Sequence, residues 1–139
     1  MNNFIILMAD DDPDDRLIIE QIFLDIRNGG TLHFVEDGDE LMLYLRQSGR
    51  YAELASSSLP SLILLDLNMP RKHGLEALAE IKADPDLRGI PVAVWTTSND
   101  ERDKVRSRKA GADVFVTKPT NYLEIAERLQ ELIKKYCFK

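Results

Sequence analysis

Cysteine is almost missing from this sequence: Cys137, two residues from the end, is the only one in 139 residues. An intramolecular disulfide and a cysteine-built zinc site are therefore excluded, and the thiol reads as incidental, with pairing to a second chain as the alternative. Long apolar runs are missing too. Stretches such as Phe4–Ala9 stop at six residues, far short of the ~20 that a membrane-spanning helix needs. The N-terminus carries neither a basic start nor a signal-like segment, so the cytoplasm is the expected location. Positive charge is in deficit, with 18 Lys and Arg against 24 Asp and Glu and a net charge of −6. Phosphate backbones are repelled by such a surface, which removes electrostatic support for direct nucleic-acid binding and favours a cation or a basic protein partner. No internal repeat and no linker interrupts the chain.

With 44% hydrophobic and 30% charged residues, the composition is that of a soluble globular protein, and the length suits one domain over residues 1–139 with no output domain. Short apolar runs alternate with longer amphipathic stretches, a β-α-β-α order that favours a parallel sheet covered by helices on both faces. Strands are expected at 4–9, 31–35, 61–66, 91–95 and 113–117. "SLILLD", "PVAVW" and "DVFVT" are nearly all apolar, as strands buried on both sides should be. Ile18, Ile19, Ile22, Phe23 and Ile26 mark one face of a first helix, and Tyr122, Ala126, Leu129, Ile133 and Tyr136 one face of a last. Further helices are expected near 38–47, 74–83 and 100–110, and the segment 48–60 as a loop or short helix. Residues 100–110 offer little besides Val105 and Ala110 to bury, so that helix should be loosely held or have a partner.

Crossovers in such sheets are right-handed and ligands bind outside the carboxyl ends of the strands. Asp10 and Asp11 follow the first strand, Asp66 ends the third, Thr96 and Thr97 follow the fourth, and Lys118-Pro119 follow the fifth. Four strand ends thus bring carboxylates, a hydroxyl and an ammonium to one rim. The other aspartates of "MADDDPDD" have helical explanations: Asp12 before Pro13 suits an N-cap, and Asp14 and Asp15 suit the positive end of the helix. Two carboxylates about 4 Å apart repel by roughly 4 kcal/mol at an effective dielectric of about 20, so three cannot stay ionised unaided. A divalent cation and Lys118 would balance them, and oxygen ligands favour Mg²⁺, with Mn²⁺ as a substitute. Asp66 would then be a nucleophile toward phosphorus, with Thr96 and Lys118 stabilising charge on the transferred oxygens.

The segments "ILMADDDPDD", "LILLDLNMPRKHG", "IPVAVWTTS" and "AGADVFVTKP", in this order and spacing, resemble the receiver domain of two-component response regulators. "PRKHGLEALAEIKADPDLRGIPVAVWTTS" is particularly similar to single-domain regulators that serve cyanobacterial and bacterial phytochrome histidine kinases. The resemblance implies a flavodoxin-like, doubly wound (βα)5 fold with strand order 2-1-3-4-5. It implies phosphorylation of Asp66 by a sensor histidine kinase, Mg²⁺ held directly by Asp11, through water by Asp10, and by Asp66 and the backbone carbonyl of Asn68. It also implies a switch hydroxyl at Thr96, a switch aromatic at Phe115 and a cis bond before Pro119. Signalling would pass through protein contacts, with a homodimer through residues 100–136 expected from the weak burial of 100–110 beside Tyr136 and Phe138. Phe115 lacks the hydroxyl of the commoner tyrosine, and core packing is its alternative role. His73 stands where an acid is frequent among the phytochrome-associated relatives and reads as a solvated loop residue or a tuner of the site's pH response.

Three other readings compete. A haloacid-dehalogenase-type phosphohydrolase would use a similar carboxylate, threonine and lysine, but needs an acid/base Asp two residues past the nucleophile, where Asn68 stands. A calcium loop would match Asp10, Asp12 and Asp14, then fail at Asp15 in place of Gly and Gln21 in place of Glu. A receiver-like module that is never phosphorylated would act by contact alone.

Overall fold

Apolar residues in adjacent positions of one strand point to opposite faces, and here both faces are apolar. The computed structural model, which describes residues 4–26, 29–56, 59–69 and 72–138, shows what covers each. Strands β1 (Ile5–Ala9), β2 (Thr31–Val35), β3 (Leu62–Leu65), β4 (Val92–Thr96) and β5 (Val114–Thr117) form a parallel sheet in the order β2-β1-β3-β4-β5. The expected doubly wound α/β architecture is found, with strand ends shifted by about a residue; Thr96 closes β4 instead of following it. Helices α1 (Pro13–Asp25) and α5 (Tyr122–Tyr136) cover one face; α2 (Gly38–Leu45) and α3 (Gly74–Ala83) cover the other, with α4 (Glu101–Ala110) alongside α3. Ile6, Met8, Leu62, Leu64 and Trp95 meet Ile19, Ile22, Leu129 and Ile133 in one layer. Leu7, Ala9, Ile63, Leu65 and Val94 meet Leu41, Leu45, Leu78 and Ile81 in the other. Alternation at period two with helices on both sides is the reason the strands read as continuous apolar runs.

Helix starts follow their capping residues. The side chain of Asp12 accepts from the Asp14 amide with Pro13 opening α1, as expected of an Asp-Pro start. The buried stripe of α1 is Ile19, Ile22 and Phe23, an i, i+3, i+4 set. Ile18, grouped with that face by its spacing from Ile22, stands exposed, because the stripe is centred one position further along. Segment 48–60 contains a 3-10 helix over Gly49–Ser56.

In α4 the inward position belongs to Ser107, fully buried, while Val105 is exposed; the thin apolar face expected of this helix is found, with a hydroxyl at its centre. Its end is set by Gly111. The Gly111 amide donates to the Arg108 carbonyl and the Ala112 amide to that of Ser107, and Gly111 sits at φ 107°, the left-handed closure that glycine adopts without a Cβ penalty.

Candidate metal centre at the strand ends

Hydrogen bonding of the sheet continues past the strands and places the polar residues. The Asp10 amide donates to Val35 O at 3.0 Å, the Asp66 amide to Ala9 O at 3.0 Å, and the Lys118 amide to Thr96 O at 2.7 Å. Because β1 and β3 are neighbours whose following helices depart to opposite faces of the sheet, Asp10, Asp11 and Asp66 meet at the crevice between them. The loop after Asp66 is held close by Gly74, whose amide donates to Leu67 O at 3.1 Å. A Cβ at Gly74 would lie 2.5 Å from the Asp66 carbonyl oxygen, so only glycine lets α3 begin against this loop. His73, partly exposed, caps α3, its Nδ1 accepting from the Leu75 amide at 3.2 Å.

Carboxylate oxygens of Asp10, Asp11 and Asp66 all lie within 4.8 Å of one another. Asp10 is fully buried, Asp66 nearly so, and Asp11 exposed. Asp10 Oδ1 accepts from the Asp12 amide at 2.9 Å and Oδ2 from Lys118 Nζ at 2.9 Å. Asp66 Oδ1 accepts from the Asn68 amide at 3.2 Å and Oδ2 from Lys118 Nζ at 3.4 Å. Burial raises the Asp10 pKa and the Asp66 charge adds to this, against the lowering effect of the Asp12 amide and Lys118. Burial works against the Lys118 ammonium, but its hydrogen bonds to Asp15 and Asp10 and the charge of Asp66 prevail and hold its pKa above the ordinary lysine value. Three carboxylates against one ammonium leave an excess of negative charge on hard oxygen ligands, a donor set that suits a divalent cation such as Mg²⁺ or Mn²⁺. The calcium-loop alternative fails here: Asp12 is engaged as a helix cap, and Asp66, from another strand, completes the cluster.

Lys118 also donates to Asp15 Oδ2 at 2.6 Å, its shortest contact in the cluster. The helix start alone explains Asp15 in the sequence; the structure adds it to the site. The periodicity that puts Ile18, Ile19 and Ile22 along α1 does not reveal which side of the first turn faces β5. The bond before Pro119 is trans, and no cis bond occurs among the described residues. That corrects the expected cis bond, and it follows the ordinary preference of X–Pro bonds for trans, about 0.5–1 kcal/mol.

Thr96 is fully buried, its Oγ1 accepting from the Ser98 amide at 3.3 Å, while Thr97 is exposed. The loop that follows is tied to β5, with Thr117 Oγ1 donating to Ser98 O at 2.9 Å and Ser98 Oγ to Asp103 Oδ2 at 2.5 Å. Phe115 is half-buried against the α2–α3 layer. It also lines, with Lys104, Arg108 and Val114, a cavity of about 450 Å³ between α4 and β5.

A five-stranded doubly wound sheet carrying an acidic trio and a lysine at its carboxyl edge defines a class, and comparison with known proteins agrees. The chain belongs to the response regulator receiver domain family, which matches residues 6–130. It is 37% identical over 126 residues to the response regulator Rcp1 of Synechocystis sp. (strain ATCC 27184 / PCC 6803 / Kazusa), covering 91% of this chain and 84% of that protein. The crystal structure of the phosphorylated cyanobacterial phytochrome response regulator RcpA is 36% identical, with a TM-score of 0.88 over 96% of this chain and 94% of that one. The Mn²⁺-bound form of Rcp1 is 34% identical, with a TM-score of 0.86 over 98% and 96% of the two chains.

Proposed function

We propose that this receiver domain takes a phosphoryl group onto Asp66 from a phosphohistidine of a sensor histidine kinase of the phytochrome type. The observation that carries the reading is the position of Asp66, nearly buried, 3.4 Å from the Lys118 ammonium and within 4.8 Å of the Asp10 and Asp11 carboxylates. A carboxylate oxygen of Asp66 forms the bond to phosphorus as the phosphorus–nitrogen bond of the donor breaks, and the imidazole leaves with the bonding pair. Asp10, Asp11, Asp66 and the backbone carbonyl of Asn68 would hold Mg²⁺ or Mn²⁺, which when bound neutralises charge on the transferred oxygens. Lys118 supplies a second positive charge, and the Thr96 hydroxyl a hydrogen bond to the new phosphoryl oxygens. Rcp1, bound to Mn²⁺ in one structure, and RcpA, a phosphorylated phytochrome regulator, support both the metal and the kinase class.

The signal leaves through protein contacts in the cytoplasm, with a homodimer through residues 100–136. The exposed Val105 and the cavity beside Phe115 support that face, and Phe115 moving into the cavity is the switch step it allows. Incubation with Mg²⁺ and acetyl phosphate tests the phosphoacceptor: the wild type gains one phosphoryl mass and Asp66→Asn gains none. Labelling of Asp66→Asn at the wild-type level overturns the reading. Sedimentation with and without beryllofluoride tests the dimer, and a monomer in both conditions refutes it.

A further inference from the structure

We infer that Asp15 is a built-in competitor for Lys118, holding the ammonium in the resting protein and so setting how tightly the site retains a phosphoryl group. This rests on the reading of Asp66 as phosphoacceptor. A lysine ammonium has three N–H donors, and here three carboxylates take them: Asp15 at 2.6 Å, Asp10 at 2.9 Å and Asp66 at 3.4 Å. The donor now on Asp66, the longest contact at 3.4 Å, is the one a phosphoryl oxygen inherits, and a closer or second contact needs another carboxylate to give way. Asp10 is the costlier of the other two to release, because it is fully buried and a charge there loses more with its partner than one at the surface. The Asp66 carboxylate is the group that becomes the acyl phosphate. Asp15, with 28% of its side chain exposed, can be handed to water and to the positive start of α1, where a carboxylate is stabilised. It is therefore the partner that yields. A cavity of about 30 Å³ lined by Asp15, Trp95, Lys118 and Pro119, among others, adjoins the Asp15–Lys118 pair on the side away from Asp66. Asp15 touches neither the phosphorus nor the nucleophile; it is a positioning residue acting through Lys118.

The test is a beryllofluoride titration at fixed Mg²⁺, followed by fluorine NMR of the bound trifluoroberyllate, with emission of Trp95, the only tryptophan, as a second readout. A charged hydrogen bond of this kind, discounted for exposure, corresponds to a change of about tenfold. Asp15→Asn should half-saturate at about tenfold lower beryllofluoride than the wild type. Asp15→Glu, which restores the counter-ion, should match the wild type, and so should Asp14→Asn, which removes an exposed charge from the same helical turn. Equal affinities for Asp15→Asn and wild type overturn the inference. So does an equal gain in Asp14→Asn, which shows a general charge effect, or in Asp15→Glu, which shows a loss of shape instead of charge. If the wild type itself binds no beryllofluoride and forms no acyl phosphate, the phosphoacceptor reading fails first. The inference fails with it.

Discussion

Replacing Asp11 with Asn should make the protein more stable without divalent cation and less stable with it. Asp11 is exposed, and its carboxylate lies within 4.8 Å of those of Asp10 and Asp66. At that separation each repulsion amounts to about 3 kcal/mol at an effective dielectric of about 20 and about 1 kcal/mol in water. Solvent around Asp11 favours the lower figure. The charges of Lys118 and Asp15 nearly offset one another, so two repulsions remain and the substitution relieves about 1–2 kcal/mol. For 139 residues the unfolding entropy is roughly 0.3 kcal/mol/K, and the melting temperature of the metal-free variant should rise by about 3–7 °C. With Mg²⁺ at about a hundred times its Kd, the wild type gains about 2.7 kcal/mol, or roughly 9 °C. The variant, one ligand short, gains a fraction of that at the same concentration. Thermal melts by circular dichroism in chelator and in Mg²⁺ should therefore rank the two proteins in opposite orders. A variant less stable than wild type in chelator, or one that gains as much from Mg²⁺, refutes the account of the carboxylate cluster.

Lys118→Met leaves Asp10 and Asp66 without their ammonium; urea unfolding in chelator should show a loss of about 3–5 kcal/mol, part of which Mg²⁺ restores. Gly111→Ala forces a side chain into the left-handed region at φ 107° with its Cβ 2.7 Å from Lys82 Cγ, and the same assay should register a loss of about 1–3 kcal/mol. Burial pushes the Cys137 thiol up to about 11, so the native protein at pH 8 should hold roughly a hundredfold less thiolate than the unfolded chain and alkylate correspondingly more slowly. The sign for stability follows: an acid whose folded pKa is raised contributes stability below its unfolded value of about 9 and loses it as pH climbs toward 11.

Much of the site was readable before the fold because strand ends in a parallel sheet share one rim. Once "SLILLD" and "DVFVT" are recognised as buried strands, Asp66 and Lys118 fall at the same edge as Asp10. Asp15 was not readable in this way. Its position in the first turn of α1 has a sufficient local explanation, and whether it reaches Lys118 depends on the rotation of α1 against the sheet. The same rotation decides that Ile19 is buried and Ile18 exposed. The capping role of His73 does have a signal in the sequence, since a helix expected over 74–83 makes the preceding residue its N-cap. Ser107 had none: a buried hydroxyl at the centre of α4 contradicts its polarity, and only the packing of α4 beside α3 places it there.

The most direct measurement of the central claim is the identity of the residue that carries phosphorus. Borohydride reduces an aspartyl phosphate to homoserine, which peptide mass spectrometry locates in the sequence. After exposure to Mg²⁺ and an autophosphorylated phytochrome-type histidine kinase, homoserine should appear in place of Asp66 and nowhere else. Homoserine in place of Asp10, Asp11 or Asp15, or an unmodified chain beside a kinase that has phosphorylated its own partner, would contradict it.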